Sequence, residues 1–236
     1  MSDFDLDGIR TTVGTPEAPA RSLAPGERFA ERYEIRDRLG GGGMGVVYLA
    51  NDSLTGEDVA IKLIHPSLVD TDARQRMIEE GVLARKVSHP NVVRVHDVGE
   101  HDGQIYLVME VVQGRSLRAL MAERMVAGTD APFDEVVAVV RAILAGLGAA
   151  HAQNLVHRDV KPENVMLSGT PGSPDFRLKV LDFGIARGLK TGAMTGSRPV
   201  GTPLYMAPEQ KTSPGAVGPS ADIYSVGRIF YEMLLD

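Results

Sequence analysis

The sequence predicts an α+β chain of two unequal lobes, a small β-rich one followed by a mainly helical one. Three observations carry this. Short runs rich in β-branched and aromatic residues, separated by glycine-containing turns, fill the stretch from Tyr33 to Val112. From Phe133 to Gln153, apolar residues recur at three- and four-residue steps. Between and after the helical stretches lie segments dense in charge, HRDVKPEN and LDFGIAR, which are poor material for a core.

The 236 residues are ample for a core, and 43% hydrophobic with 24% charged residues is ordinary for a globular chain. A net charge of −6 gives no footprint for nucleic acid or an anionic membrane. With no cysteine, neither a disulfide nor a thiolate metal site can form. No apolar run reaches the roughly 18 residues of a membrane span, and the acidic MSDFDLDGIR lacks the apolar stretch of a signal peptide, so secretion is not expected. A cytoplasmic chain is expected, with any membrane anchor confined to a C-terminal extension beyond Asp236.

Residues 1–28 are expected to form a flexible tail, being rich in Thr, Pro, Ala and Gly without a period. The first lobe and its hinge span residues 29–112. YEIRDRL and GVVYLAND are strands flanking LGGGGMG, and DVAIKLI (Asp58 to Ile64) is a third strand after a turn at Gly56. TDARQRMIEEGVLARKV (Thr71 to Val87) has the pattern of a helix. NVVRVHDVGE and QIYLVMEVV form a strand pair around an Asp102-Gly103 turn. Residues 113–236 make the second lobe. Val136, Val140, Ile143, Leu147 and Ala150 mark the inner stripe of one helix, and SADIYSVGRIFYEMLL is another, apolar on more than one face.

Four stretches carry chemistry. Gly40, Gly42 and Gly45 fit G-x-G-x-x-G, a pattern shared by dinucleotide-binding loops and by purely structural turns. A dinucleotide loop needs strand, glycines, then helix, whereas these glycines run into the strand VVYLA. Lys62 alternates with Val59 and Ile61, so it shares a face with Ala60, under the glycine loop; Glu80, in the next helix, is placed to pair with it. In HRDVKPEN, Asp159 can accept a hydroxyl proton, Lys161 can neutralise phosphate charge, and Asn164 can offer a neutral oxygen to a hard cation. Asp182 ends the apolar strand LKVL and makes with Asn164 an oxygen pair suited to Mg²⁺. Taken singly, each has a plainer reading: a solvated lysine, a surface helix charge, a polar turn.

In this order the four stretches resemble the motif set of protein kinases, and more narrowly of Hanks-type bacterial serine/threonine kinases, from about Tyr33 to Asp236. The resemblance implies a bilobal protein-kinase fold that binds ATP with Mg²⁺ or Mn²⁺. It puts Leu39 and the glycine loop over the nucleotide, and Lys62, paired with Glu80, on the α/β-phosphates. Val47, Ala60 and Met166 would sandwich the adenine, with Met109 at the gatekeeper and Glu110 and Val112 in the hinge. Asp159 would be the catalytic base and Lys161 would sit near the γ-phosphate, while Asn164 and Asp182 would hold the metal. Lys161 two residues after Asp159, and GTPLYMAPEQ (Gly201 to Gln210), imply protein Ser/Thr substrates. Small-molecule phosphotransferases share the Asp/Asn spacing but lack the glycine loop and the APE segment. Asp182 to Glu209 corresponds to an activation loop with hydroxyls at Thr191, Thr195, Ser197 and Thr202. Phosphorylation at Thr195 or Ser197, by self-associated copies, would engage Arg158.

Asp222 corresponds to the residue that braces the catalytic loop. The family's later helices fall beyond Asp236, so the helical lobe reads as incomplete, and Ile229, Phe230, Met233 and Leu234 are expected to lose part of their cover. The alternative reading is a non-catalytic, nucleotide-binding pseudokinase or an inert fragment acting as an interaction module.

Overall fold

Antiparallel pairing organises the first lobe into one sheet, in the spatial order Arg28–Phe29, Tyr33–Gly42, Gly45–Asp52, Asp58–Ile64, Gln104–Glu110, Val95–His101. The computed structural model describes residues 22–42, 44–66, 71–183, 204–212 and 217–235. The strands are β1 (Arg28–Phe29), β2 (Tyr33–Gly42), β3 (Gly45–Asp52), β4 (Asp58–Ile64), β5 (Val95–His101) and β6 (Gln104–Glu110). β4 lies inside the sheet and is covered on both sides. Val59, Ile61 and Leu63 join a cluster with Phe29, Tyr33, Ile35 and Tyr48, while Ala60 and Ile64 join the larger core shared with the second lobe. The period of two thus carries Lys62 onto the inner face with Ala60.

The outer cluster extends into residues expected to be tail. Leu23 is 5% exposed and donates its N–H to the Tyr48 hydroxyl at 3.1 Å; the Gly26 N–H donates to the Ile35 carbonyl at 2.8 Å. One leucine and a two-residue strand are too little to show a period, so residues 22–28 carried no signal. At the far end of β3, Arg32 grips Asp52 with two parallel bonds of 2.8 and 2.6 Å. The Arg32 guanidinium holds the Asp52 carboxyl down at about 2, against the opposing effect of burial.

Helix α1 (Thr71–Lys86) packs on β5, and Arg74 forms an ion pair with Glu100 across them. Residues 91–94, expected to belong to β5, instead reach the second lobe: the Val93 N–H donates to the Val180 carbonyl at 3.0 Å and the Val180 N–H to the Asn91 carbonyl at 2.9 Å. That pairing ties the lobes together. The second lobe opens with β7 (Arg115–Ser116), which joins β8 (Val165–Ser168) and β9 (Arg177–Val180) in a small sheet.

Helix α2 (Leu117–Ala127) was not singled out by periodicity, because only Leu117 and Leu120 are buried. Its caps are nonetheless regular: Ser116 Oγ accepts from the Ala119 N–H at 3.1 Å, and Gly128 closes it at φ +63°. Helix α3 (Phe133–His151) buries Val136, Val139, Ile143, Leu147 and Ala150, so Val139 takes the central place expected for Val140. After the short α4 (Pro208–Thr212), helix α5 (Pro219–Leu235) packs on α3. That contact fully buries Ile229 and leaves Met233 7% exposed, so only Phe230 and Leu234 of the four residues expected to lose cover are partly or largely open. No helix among the described residues is long and apolar enough to cross a membrane.

Candidate active site

The segment after α3 is held from beneath. Asp222 of α5 is fully buried. Its Oδ2 accepts the His157 N–H at 2.9 Å and lies 2.7 Å from His151 Nε2, and its Oδ1 accepts the Arg158 N–H at 2.7 Å. These bonds sustain Arg158 in a left-handed backbone conformation, φ +68°, which residues with side chains adopt rarely. The His157 ring is also buried. Its Nε2 donates to the Leu181 carbonyl at 2.6 Å, while Nδ1 accepts the Asp159 N–H at 3.2 Å, which fixes the tautomer.

On this support stand the charged groups. Asp159 Oδ2 accepts from Lys161 Nζ at 2.6 Å and from Asn164 Nδ2 at 3.2 Å, and the same Asn164 amide donates to the Asp159 carbonyl at 2.8 Å. Asn164 sits in a 3-10 turn (Pro162–Asn164) locked by the Leu181 N–H on the Asn164 carbonyl at 2.8 Å. Asp159, Lys161 and Asn164, three residues close in sequence, therefore form one hydrogen-bonded unit.

Lys62 is 4% exposed, and its ammonium lies 2.8 Å from Asp182 Oδ1. Glu80, the partner expected for Lys62, is buried on α1; the carboxylate at 2.8 Å is that of Asp182, which stands at φ +63° at the end of the β9 segment. Burial raises the Asp182 carboxyl; the Lys62 charge and hydrogen bond, aided by His157 and Lys161, outweigh it and hold the group below the usual carboxylate range. Phe183 turns inward, 5% exposed, with its ring 4.6 Å from that of His157.

Asp182, ionised, and the Oδ1 of Asn164, whose amide nitrogen is committed to Asp159, are hard oxygen donors and fit a Mg²⁺-class cation. Among the described residues no group of three His, Cys, Asp or Glu could hold a metal alone. A cation on these two residues would complete its shell with water or phosphate oxygens, as Mg²⁺ prefers.

The cleft above is built by strand register. Val47 lies opposite Lys62, and Ala60 lies between Leu49 and Met109, so Val47, Lys62, Ala60 and Met109 share the inner face. Leu39 sits at a register shift in β2 and is 52% exposed. Met166, on β8, faces away from the buried Val165 and Leu167. After β6 the expected hinge residues Val111 and Val112 lie outside any helix or strand; the Glu110 carboxylate is held by Lys179 Nζ at 2.7 Å and accepts the Arg94 N–H at 2.7 Å. The three motif glycines are not equivalent. Gly40 and Gly42 have open space where a side chain would project. Gly45 adopts φ +149°, and a Cβ there would collide with the Leu63 carbonyl oxygen, so the sheet itself requires this glycine.

The segment from Leu204 is stitched to this site by residues that sequence reasoning missed. Ser225 Oγ donates to the Tyr205 carbonyl at 2.8 Å. The Tyr205 hydroxyl lies between Arg118 and Glu232, and Arg118 also bonds Glu163 at 2.9 Å and Glu232 at 2.7 Å. Burial and then the Glu232 carboxylate push the Tyr205 phenol upward. Gln210 Nε2 donates to the Arg158 carbonyl at 2.7 Å, and its Oε1 accepts the Ala207 N–H at 3.0 Å. These partners lie 20 to 114 residues apart except within 207–210, so spacing could not reveal them. Thr191, Thr195, Ser197 and Thr202 lie outside the described residues.

Residues 33–236 match the family model described as the protein kinase domain. The chain is 42% identical over 204 residues to the serine/threonine-protein kinase PknD of Mycobacterium tuberculosis, covering 86% of this chain and 29% of PknD. It is 36% identical over 214 residues to the probable serine/threonine-protein kinase PknB of Lactococcus lactis, covering 89% of this chain and 32% of that one. Among solved structures it resembles the PknI kinase domain of Mycobacterium tuberculosis, with a TM-score of 0.71 at 34% identity, covering 87% of this chain and 74% of that one. The chain spans about a third of the length of the curated relatives it matches.

Proposed function

We propose that this chain, which belongs to the protein kinase domain family, transfers the γ-phosphoryl group of ATP to serine or threonine hydroxyls of proteins. The observation that carries the reading is the Asp159–Lys161–Asn164 unit, seated on Asp222 and bonded through the Asn164 carbonyl to the Leu181 N–H, next to the Asp182 that Lys62 holds. In that reading the acceptor oxygen bonds to the γ-phosphorus as the bond to the β-phosphate oxygen breaks. The hydroxyl proton passes to Asp159, and ADP departs. Lys161, now bonded to the Asp159 carboxylate, would neutralise charge developing on the transferred group. Lys62 stands ready to exchange or share its carboxylate partner with phosphate oxygens. Asn164 and Asp182 would hold Mg²⁺ or Mn²⁺, which when bound neutralises the transferring phosphates. Little covalent chemistry falls to the protein; positioning and charge do the work.

The relatives named serine/threonine-protein kinases support protein hydroxyls as acceptors. We extend the reading to phosphorylation of Thr195 or Ser197 by a second copy, with Arg158 as the group that receives the phosphate. Incubation of the chain with radiolabelled ATP, Mg²⁺ and a generic basic protein should yield phosphoserine and phosphothreonine. Label confined to small molecules, or none, would overturn the assignment. Mapping an active sample and finding no phosphate on the loop would remove the extension alone.

A further inference from the structure

One side-chain amide joins the segment after Leu204 to the peptide that precedes the base, and we infer that Gln210 is a positioning residue for Asp159. The peptide unit between Arg158 and Asp159 is held at both ends. Its N–H is on His157 Nδ1 at 3.2 Å and its carbonyl is on Gln210 Nε2 at 2.7 Å. The preceding N–H, of Arg158, is on Asp222 Oδ1 at 2.7 Å. Arg158 is at φ +68°, so its peptide planes need such external holds to keep that orientation. His157 and Asp222 act from below. Gln210 acts from the segment that would seat the acceptor protein.

The other end of the same amide makes the link two-sided. Gln210 Oε1 accepts the N–H of Ala207, which is fully buried. Ala207 follows Tyr205, whose carbonyl is pinned by Ser225 and whose phenol lies between Arg118 and Glu232. The amide therefore projects from an anchored base, and movement of residues 205–207 is carried to the Asp159 peptide through one rigid group. A glutamine suits this place because its terminus offers a donor and an acceptor together, whereas an ionised glutamate only accepts.

The kinetic part of this inference rests on the proposed kinase activity; the structural part does not. Gln210→Ala and Gln210→Glu in the full chain are compared with wild type by steady-state kinetics and by amide hydrogen exchange resolved at Ala207 and Asp159. Both variants should lower kcat toward the protein acceptor about tenfold, the factor for one lost hydrogen bond, with KM for ATP unchanged. Exchange at Asp159 should rise in both. Exchange at Ala207 should rise in Gln210→Ala but stay near wild type in Gln210→Glu, which keeps the acceptor. A merely structural role would raise exchange equally at both positions and in both variants, and that result overturns the inference. So does wild-type kcat with unchanged exchange at Asp159. If the wild-type chain transfers no phosphate, the kinase reading fails and the exchange pattern alone decides for or against Gln210.

Discussion

Replacing Asp222 by Asn tests how the segment from His157 to Asp159 is held. The carboxylate is fully buried and receives two backbone N–H groups, from His157 and Arg158, besides facing His151 Nε2. Asn keeps one oxygen, so one of the two N–H bonds survives; the new NH₂ faces the other N–H, donor against donor. Losing a bond to a charged acceptor and orphaning a buried N–H should cost about 2–4 kcal/mol. For a domain of this size that lowers Tm by about 5–15 °C, at 2–4 °C per kcal/mol. Ser225→Ala is the control on the same helix. Its hydroxyl bonds the Tyr205 and Ala221 carbonyls, and its loss should cost about 1 kcal/mol. Thermal melts followed by circular dichroism measure both. Arg158, no longer held at φ +68°, should relax toward an ordinary backbone conformation and carry Asp159 with it, so kcat should also fall about tenfold or more in Asp222→Asn. A melt within 2 °C of wild type, or no larger a loss than in Ser225→Ala, would refute the argument.

Two further outcomes concern the first lobe. The Asp52 carboxyl is depressed from 3.8 to about 2 by Arg32, so it contributes stability above about pH 4 that disappears as pH falls through 2. That gap is worth at most about 2.5 kcal/mol and nearer 1–2 once solvent screening of the 38%-exposed Arg32 side chain is allowed for. Urea midpoints of Asp52→Asn and wild type should differ at pH 7 and converge only as pH falls below about 2; a constant difference would contradict the pairing. Gly45→Ala should destabilise by about 2–4 kcal/mol through strain and collision with the Leu63 carbonyl. Gly42→Ala, with open space around it, should cost under about 0.5 kcal/mol. Equal urea midpoints for the two variants would remove the distinction between them.

Much of this architecture was legible because it repeats. The two-residue period of DVAIKLI placed Lys62 beside Ala60, and β4 occupies Asp58–Ile64 as expected. The apolar steps of α3 and α5 located both helices to within a few residues. Elements held by other forces were silent. Residues 22–28 fold because Leu23 finds the outer cluster, and α2 rests on two buried leucines and good caps. In the site, side chains gathered within a single motif were visible: Asp159, Lys161 and Asn164 lie within six residues of one another. What positions them was not. Gln210 and Arg118 meet partners 52 and 45 residues away, at distances along the chain that no local pattern encodes. The glycines misled in a different way. Three equal-looking motif positions divide into two facing open space and one demanded by the neighbouring strand.

The central claim is that Asp159, carried on its bonded unit with Lys161 and Asn164, handles the acceptor proton. Asp159→Asn keeps the side chain's shape and one acceptor oxygen. Phosphate transfer from radiolabelled ATP to a basic protein should fall by roughly 10²–10⁴-fold, while ATP affinity in the presence of Mg²⁺ stays within twofold of wild type. Transfer by Asp159→Asn at a rate close to wild type would contradict the account.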